Sequence, residues 1–480
     1  MRRPWVLVAV AFAVSRLLIG WIADHPEDVY PSRSVDPSVD TGVYEAWAFR
    51  MQEGERRPYA DFEVEYPPGA LLVANLPFAL FDGDDYQRTY IAQSIAFDAL
   101  GLAAVYRVAK RRRSWWGVAA WLLLVPLLGP VAYTRLDIVV AAALAWALER
   151  VEAGRWTSAG AWLGLGAAVK LTPVLVLPAI VLVSPRRWQP VAAAAAVGVA
   201  FLVPFVGDLP DVVDQVAGYH VDRGVHAESL WGSLALLARV VVDADVEVVS
   251  AFGAVDISAS AADGLKTLSN IAAIGVLVDS AMTAHGRVRR GDGAHLAIVV
   301  CATLTLLVAV GRVFSPQYLV WLVAPIAVAL SVAPRAMRWP AVLLGASTAL
   351  AHVVYPVLYD DYVLVRGWGV GFGVARNLLL LASGLLAARV AAQRRPLQAD
   401  RAVGRRRRRG RPRPARLRRH AAVDGGARDV APRAVRSPGA TGVVGAEAVR
   451  AGRARRHAPG SVGARPAPGV RRRSGGGGRR

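Results

Sequence analysis

Residues 4–23 read PWVLVAVAFAVSRLLIGWIA, directly after Arg2 and Arg3, and residues 24–65 then carry 11 acids and four arginines. A run of about 20 mainly apolar residues is long enough to cross the hydrocarbon core of a bilayer as one helix. Its basic flank marks the inner side, which makes 24–65 a large outer loop. A cleaved signal peptide is the competing reading. Against it, Arg16 interrupts the apolar run and no small-residue cleavage site follows. The first helix is therefore read as a retained span.

The next apolar run, Gly69 to Phe81, is short and follows Tyr66-Pro67-Pro68. If it crossed, the cluster Lys110 to Arg113 would face outward. Laid along the outer interface instead, it lets a span at 88–108 bring that cluster inside. Further spans fall near 115–131, 136–149, 157–170, 173–184, 189–206, 265–284, 295–311, 318–333, 339–356 and 371–390, with Pro173 dividing the short pair 157–184. Predicted inner connections carry Arg150, Arg155, Arg186, Arg187, Arg287 to Arg290, Arg335 and Arg338. Predicted outer ones carry Asp208, Asp211, Asp214 and Asp222, then acids from Asp243 to Asp263, then Asp360 and Asp361. The expectation is an all-α polytopic membrane protein of about 12 transmembrane helices, multi-pass in the plasma membrane, with both termini cytoplasmic.

Composition agrees. The 480 residues are 54% hydrophobic and 19% charged, with a net charge of +21. That charge is local. Residues 394–480 hold 26 arginines and four acids, whereas 1–393 hold 31 basic side chains against 32 acids. No nucleic-acid partner is expected for the body of the chain. The domain reading is 1–393 transmembrane and 394–480 a disordered Arg/Gly/Ala/Pro-rich tail, too poor in large apolar residues to offset the entropy of ordering. Three readings of the tail stand side by side: a cytosolic segment that binds anionic lipid, a non-specific RNA binder, and the product of a GC-rich gene translated out of frame.

Chemistry-bearing residues gather on the predicted outer face. The spacing of Asp36, Asp40 and Tyr44 places them on one side of a helix over 40–53. Carboxylates beside an outer apolar surface can act as a base for an acceptor hydroxyl, although an acidic loop is as often a solvated face. Arg135, Lys170, Arg223 and Arg312 are isolated cations on an otherwise acidic face, which suggests an anionic ligand such as the phosphate of a lipid carrier. Ion pairs with close neighbours, Arg135 with Asp137 or Arg223 with Asp222, explain each of them equally well. Taken alone, His220 reads as a hydrogen-bonded interface residue. Arg16 and Asp98 lie at similar depths in spans one and two and read as a structural pair, because a lone charge in lipid is costly. The single cysteine, Cys301, allows neither an intrachain disulfide nor a Cys-based metal site. There is no Walker motif, dinucleotide fingerprint or His-Glu-x-x-His. No cofactor is expected. A divalent ion between Asp36 and Asp40 is the open alternative, which the arginine and lysine cluster makes unnecessary.

Several motifs in order resemble one family: Asp40 to Tyr44, Pro58-Tyr59 with Asp61, Glu65-Tyr66-Pro67-Pro68, Arg135-Leu136-Asp137, Lys170-Leu171-Thr172-Pro173, Tyr219 to Ser229, and Ser315-Pro316-Gln317-Tyr318. Over roughly residues 5–390 the chain is similar to glycosyltransferase family 87, the polyprenol-phosphate-mannose-dependent alpha-mannosyltransferases with the GT-C membrane fold. The resemblance implies a polyprenyl-phosphate sugar donor, a glycolipid or cell-envelope glycan acceptor, membrane lipids around the site, and transfer with inversion at the extracytoplasmic face. It carries the catalytic acid to Asp40, with Asp36 as runner-up. It makes Tyr44, Tyr66, Arg135, Lys170, His220, Arg223, Glu228, Arg312, Gln317 and Tyr318 the substrate-binding set. A transporter or flippase of lipid-linked sugars is the alternative; it would need the cations but no catalytic Asp40. Against a transporter, the chain shows no internal repeat.

Overall fold

The computed structural model describes residues 4–30, 39–54, 56–81, 85–251 and 253–393. The arginine-rich segment 394–480 lies outside the described residues, as does Asp36. The helices are α1 (Pro4–Asp24), α2 (Val39–Gln52), α3 (Gly69–Phe81), α4 (Tyr86–Arg112), α5 (Trp116–Leu127), α6 (Asp137–Glu152), α7 (Trp156–Val169), α8 (Leu177–Val183) and α9 (Trp188–Leu202). Next come the short α10 (Leu209–Val213) and α11 (Tyr219–Asp222), then α12 (Leu230–Val242), α13 (Ala262–Gly286), α14 (Gly293–Val310), α15 (Tyr318–Val332), α16 (Arg338–His352), α17 (Tyr359–Val363) and α18 (Gly367–Ala391).

Each of the 12 expected spans overlaps one of these helices, although the one at 173–184 is a 3-10 turn followed by the seven-residue α8. Among the described residues seven helical segments are long and apolar enough to cross a membrane unaided: those beginning at Trp5, Tyr86, Trp188, Ala262, Gly293, Arg338 and Gly367. The other five, α5 to α8 and α15, are shorter. Of these, α6 and α15, like α14, are buried along nearly their whole length, so their ends meet protein rather than lipid. Helices that are apolar all round belong in such interiors. Outer helices show the opposite habit: Leu17 on α1 is 71% exposed and Met282 on α13 68%, large apolar surfaces suited to acyl chains.

The intramembrane charges meet. Arg16 Nε lies 2.8 Å from Asp98 Oδ2. Asp98 also accepts from Tyr133 at 2.7 Å, and Arg16 donates to the carbonyl of Leu122 at 3.0 Å. Both charges are thus matched within the bundle. The predicted inner residues also cluster. Arg111 and Arg112 at the end of α4 pair with Glu149 and Glu152 at the end of α6, and the Gly291 amide donates to Val183 O at 2.9 Å. The 16 residues of α6 run about 24 Å from this arginine-rich end to Asp137 at the other.

Between α11 and α13 the structure departs from the all-helical expectation. Strands β1 (Val225–His226), β2 (Val246–Ala251) and β3 (Ala254–Ala259) form a small antiparallel sheet in the order β1-β3-β2. His226 faces Asp256, and Ala251 faces Ala254 across a turn in which Gly253 has φ +65°. The acids in this stretch mark an outer loop, but its Val/Ile alternation ending at a glycine is a hairpin pattern. The amphipathic α12 is likewise an element beyond the expected spans.

Candidate active site

At the end of the bundle away from the arginine cluster, several chain breaks place charged side chains together. Asp40 lies in the first turn of α2, where the helix dipole favours an acid. Its carboxylate forms an ion pair with Arg135 Nη1. Arg135 belongs to the irregular link between a 3-10 turn at Gly129–Ala132 and α6. Thr41 Oγ1 donates to Thr134 O at 3.4 Å, which holds α2 against that link. Asp40 stays 24% exposed, so it is anchored but reachable. One turn on, Tyr44 is buried and stacks on Tyr90 with ring centroids 5.4 Å apart.

Asp137, the first residue of α6, is fully buried and receives Lys170 Nζ at 2.9 and 3.0 Å. Lys170 sits where α7 ends, in extended backbone, and a 3-10 turn containing Pro173 follows. This break lets the side chain reach across to α6 and lie 4.7 Å from the centroid of Tyr66. The local pair of Arg135 with Asp137, one of the alternatives in the sequence, is therefore replaced by long-range ones: Arg135 binds Asp40, and Asp137 binds Lys170. The Asp222 side chain, the alternative partner of Arg223, is outside the described residues.

Glu65 connects the two halves of the site. Burial pushes its carboxyl above the usual range, while Lys170 and Arg223 draw it back. Its loop is fixed by the Tyr59 hydroxyl donating to Tyr66 O at 2.7 Å and by the Val64 amide donating to Gln215 Oε1 at 2.7 Å. Arg223 lies 5.0 Å from the centroid of Tyr219. Burial raises the Asp256 carboxyl and Arg223 opposes that, so β3 brings an acid up to the Arg223-Gly224 turn. Arg312 loses basicity through burial and the nearby Arg223 charge. Tyr318 stacks on Trp321 at 4.3 Å, and Gln317 accepts from Ser315 Oγ. Arg135 Nε, Arg223 Nε and the hydroxyls of Tyr44 and Tyr90 are buried without hydrogen-bond partners. These groups are available to a polar ligand or to water.

Of two further expected residues, one is engaged elsewhere and the other is not described. Glu228 is buried in a pair with Arg376 at 2.7 Å, with Asn377 donating to its carbonyl at 3.0 Å, a self-contained structural network. His220 lies on α11, but its side chain is outside the described residues. The nearby His226 is lowered to about 3 by burial and then by Arg223 and Arg376, so it stays neutral at physiological pH. Glu65, Asp137, Tyr219 and Asp256 are site residues that sequence reasoning left unassigned. The available signal was adjacency, since Glu65 directly precedes Tyr66 and Asp137 lies two residues from Arg135. Among the described residues no group of three or more His, Cys, Asp or Glu is placed to hold a metal ion.

An apolar groove of about 430 Å³ adjoins this cluster, lined by Pro67, Pro68, Ala168 and Leu171 beside Lys170, and by Ala194 and Phe201 on α9. A family model for glycosyltransferase family 87 matches residues 65–308, just over half of the chain. The chain belongs to glycosyltransferase family 87. It is therefore a membrane glycosyltransferase, and the matched span holds Glu65, Tyr66, Arg135, Asp137, Lys170 and Arg223, whereas Asp40, Tyr44, Arg312, Gln317 and Tyr318 lie outside it. Among solved structures, ArnT from Cupriavidus metallidurans bound to undecaprenyl phosphate is similar with a TM-score of 0.44 and 13% identity, covering 84% of this chain and 79% of that one. The same protein in the apo state gives 0.41 and 14%, covering 80% and 77%. A search of curated proteins finds no match.

Proposed function

We propose that this family 87 enzyme transfers a hexose, mannose by its family resemblance, from a polyprenyl-phosphate carrier to a glycolipid or cell-envelope glycan. In this reading the site lies at the extracytoplasmic face of the plasma membrane and both termini are cytoplasmic. The observation that carries the proposal is the juxtaposition of an apolar groove, a group of cations and a reachable carboxylate. The prenyl chain lies in the groove past Pro67, Pro68 and Leu171. Its phosphate meets Lys170 and Arg223, with Arg312 beside them, and the sugar extends toward Asp40.

Asp40 takes the proton of the acceptor hydroxyl as that oxygen bonds to the anomeric carbon. The bond from that carbon to the phosphate oxygen breaks on the opposite face, so a beta-linked donor gives an alpha product. The departing phosphate monoester gains charge, and the fixed cations stabilise it as it forms. Arg135 orients Asp40, and Asp36 remains the second candidate for the base. Glu65 shares Lys170 and Arg223 with the phosphate and offsets their mutual repulsion when the site is empty.

The test is incubation of membranes containing the protein with radiolabelled polyprenyl-phosphate-mannose and a panel of glycolipid acceptors. Acceptor-dependent appearance of an alpha-linked product supports transfer. Translocation of the donor without product formation supports the flippase alternative.

A further inference from the structure

At the arginine-rich end of the bundle, remote from the candidate active site, a groove of about 1150 Å³ opens between α5, α15 and α16. On α5 its wall is the stripe Trp116, Ala119, Leu123 and Leu127, and α16 faces it with Val342 and Gly345. These spacings of three and four residues place each set on one helix face. Trp116 and Leu123 are each 65% exposed and Val342 56%, so the walls are apolar and uncovered. From Trp116 to Leu127 the groove runs about 16 Å, roughly half of a 30 Å hydrocarbon core, which is the depth of one leaflet.

The rim is cationic. Arg111 and Arg112 are matched by Glu149 and Glu152. Arg113, Arg335 and Arg338 stand exposed beside them on the rim. Arg113 and Arg338 form no ion pair with any described residue, and Arg338 lies over the Trp339 ring at 5.4 Å. An amphiphile with an anionic phosphate head and a long apolar chain complements both features.

We propose that this groove is a binding site for an anionic glycerophospholipid of the adjoining leaflet. Its phosphate rests among Arg113, Arg335 and Arg338, and one acyl chain lies between α5 and α16. Apolar walls alone would hold zwitterionic lipids equally well, so preference for a net negative head is the signature. Guanidinium groups match phosphate oxygens in geometry as well as charge.

Native mass spectrometry of the detergent-solubilised full-length protein tests this, with dioleoyl phosphatidylglycerol titrated against dioleoyl phosphatidylcholine. Wild type should favour phosphatidylglycerol. Arg113→Gln/Arg338→Gln should weaken phosphatidylglycerol about 10-fold or more, as expected for two charges near a phosphate head, and leave phosphatidylcholine unchanged. Gly345→Leu keeps the charges but fills the groove, since a Cβ there already lies 3.6 Å from Leu124 Cδ2, and should weaken both lipids. The 26 arginines of residues 394–480 are the same in every protein compared, so the loss of phosphatidylglycerol affinity between wild type and the arginine variant reports on the groove rather than on that segment. Equal binding of the two lipids by wild type would overturn the proposal, as would an arginine variant that keeps wild-type phosphatidylglycerol affinity. Undecaprenyl phosphate displacing phosphatidylglycerol from this arginine-dependent site would overturn the assignment to a glycerophospholipid.

Discussion

Lys170 is assigned two duties, counterion to Asp137 and ligand to the donor phosphate, and Lys170→Met separates them. Its Nζ touches both oxygens of a fully buried carboxylate, at 2.9 and 3.0 Å. Removing one partner of such a pair leaves an uncompensated buried charge and costs about 3–5 kcal/mol of stability. Asp137→Asn should cost a comparable amount, whereas Lys170→Met/Asp137→Asn removes both charges and should lose less than the sum of the singles by roughly 1–3 kcal/mol. Transfer behaves differently. A hydrogen bond to a charged group is worth about 1.5–3 kcal/mol, so losing the Lys170 contact to phosphate should lower kcat/KM for the donor about 10- to 150-fold in both the single and the double variant. Thermal unfolding followed by fluorescence-detected size exclusion reads the first quantity, and initial rates of sugar transfer read the second. A double variant that recovers both stability and wild-type kcat/KM would refute the phosphate role and leave Lys170 as a counterion only.

Three further outcomes are expected. Burial raises Glu65, so as the pH falls from neutral through its elevated titration the carboxylate is lost earlier than for an ordinary glutamate, and Lys170 and Arg223 lose a competing anion. Donor KM should therefore fall with pH, and Glu65→Gln should show the low KM at neutral pH with a flattened profile; a higher KM in that variant would make Glu65 a substrate ligand instead. Arg376→Met should strand the Glu228 carboxylate and cost about 3–5 kcal/mol of thermal stability, while Glu228→Gln should lose stability without changing donor KM; a selective rise in KM would return Glu228 to the substrate site. A chain ending after Gln393 should insert and transfer sugar as the full-length chain does, and insertion with loss of transfer would contradict that.

The spans were legible because period and length suffice for apolar helices, and the charge alternation grouped Lys110 to Arg113 with Arg335 and Arg338, the same groups that meet at one end of the bundle. Arg16 and Asp98 could be paired from sequence for a physical reason: a charge in lipid demands a partner, and these two shared a depth. The partners of Arg135 and Lys170 were not legible. A sequence displays near neighbours, so Asp137, two residues away, stood as the alternative partner of Arg135, when its partner is Asp40, 95 residues earlier. Glu65 was quoted in a motif but given no role, because its position between Lys170 and Arg223 exists only once α7 breaks before Pro173 and the 59–66 loop docks on Gln215. The hairpin of β2 and β3 was hidden by its acids, which announced an outer loop more strongly than its alternation announced strands.

Asp40 is the proposed base for sugar transfer, and the rate of Asp40→Asn tests that role most directly. The substitution keeps the shape of the side chain and removes the proton acceptor while Lys170, Arg223 and the apolar groove remain. General-base assistance contributes about 10²–10⁴-fold, so turnover from polyprenyl-phosphate-mannose should fall by that factor with donor binding retained, and Asp36→Asn should cost much less. Near-wild-type turnover by Asp40→Asn would contradict the account.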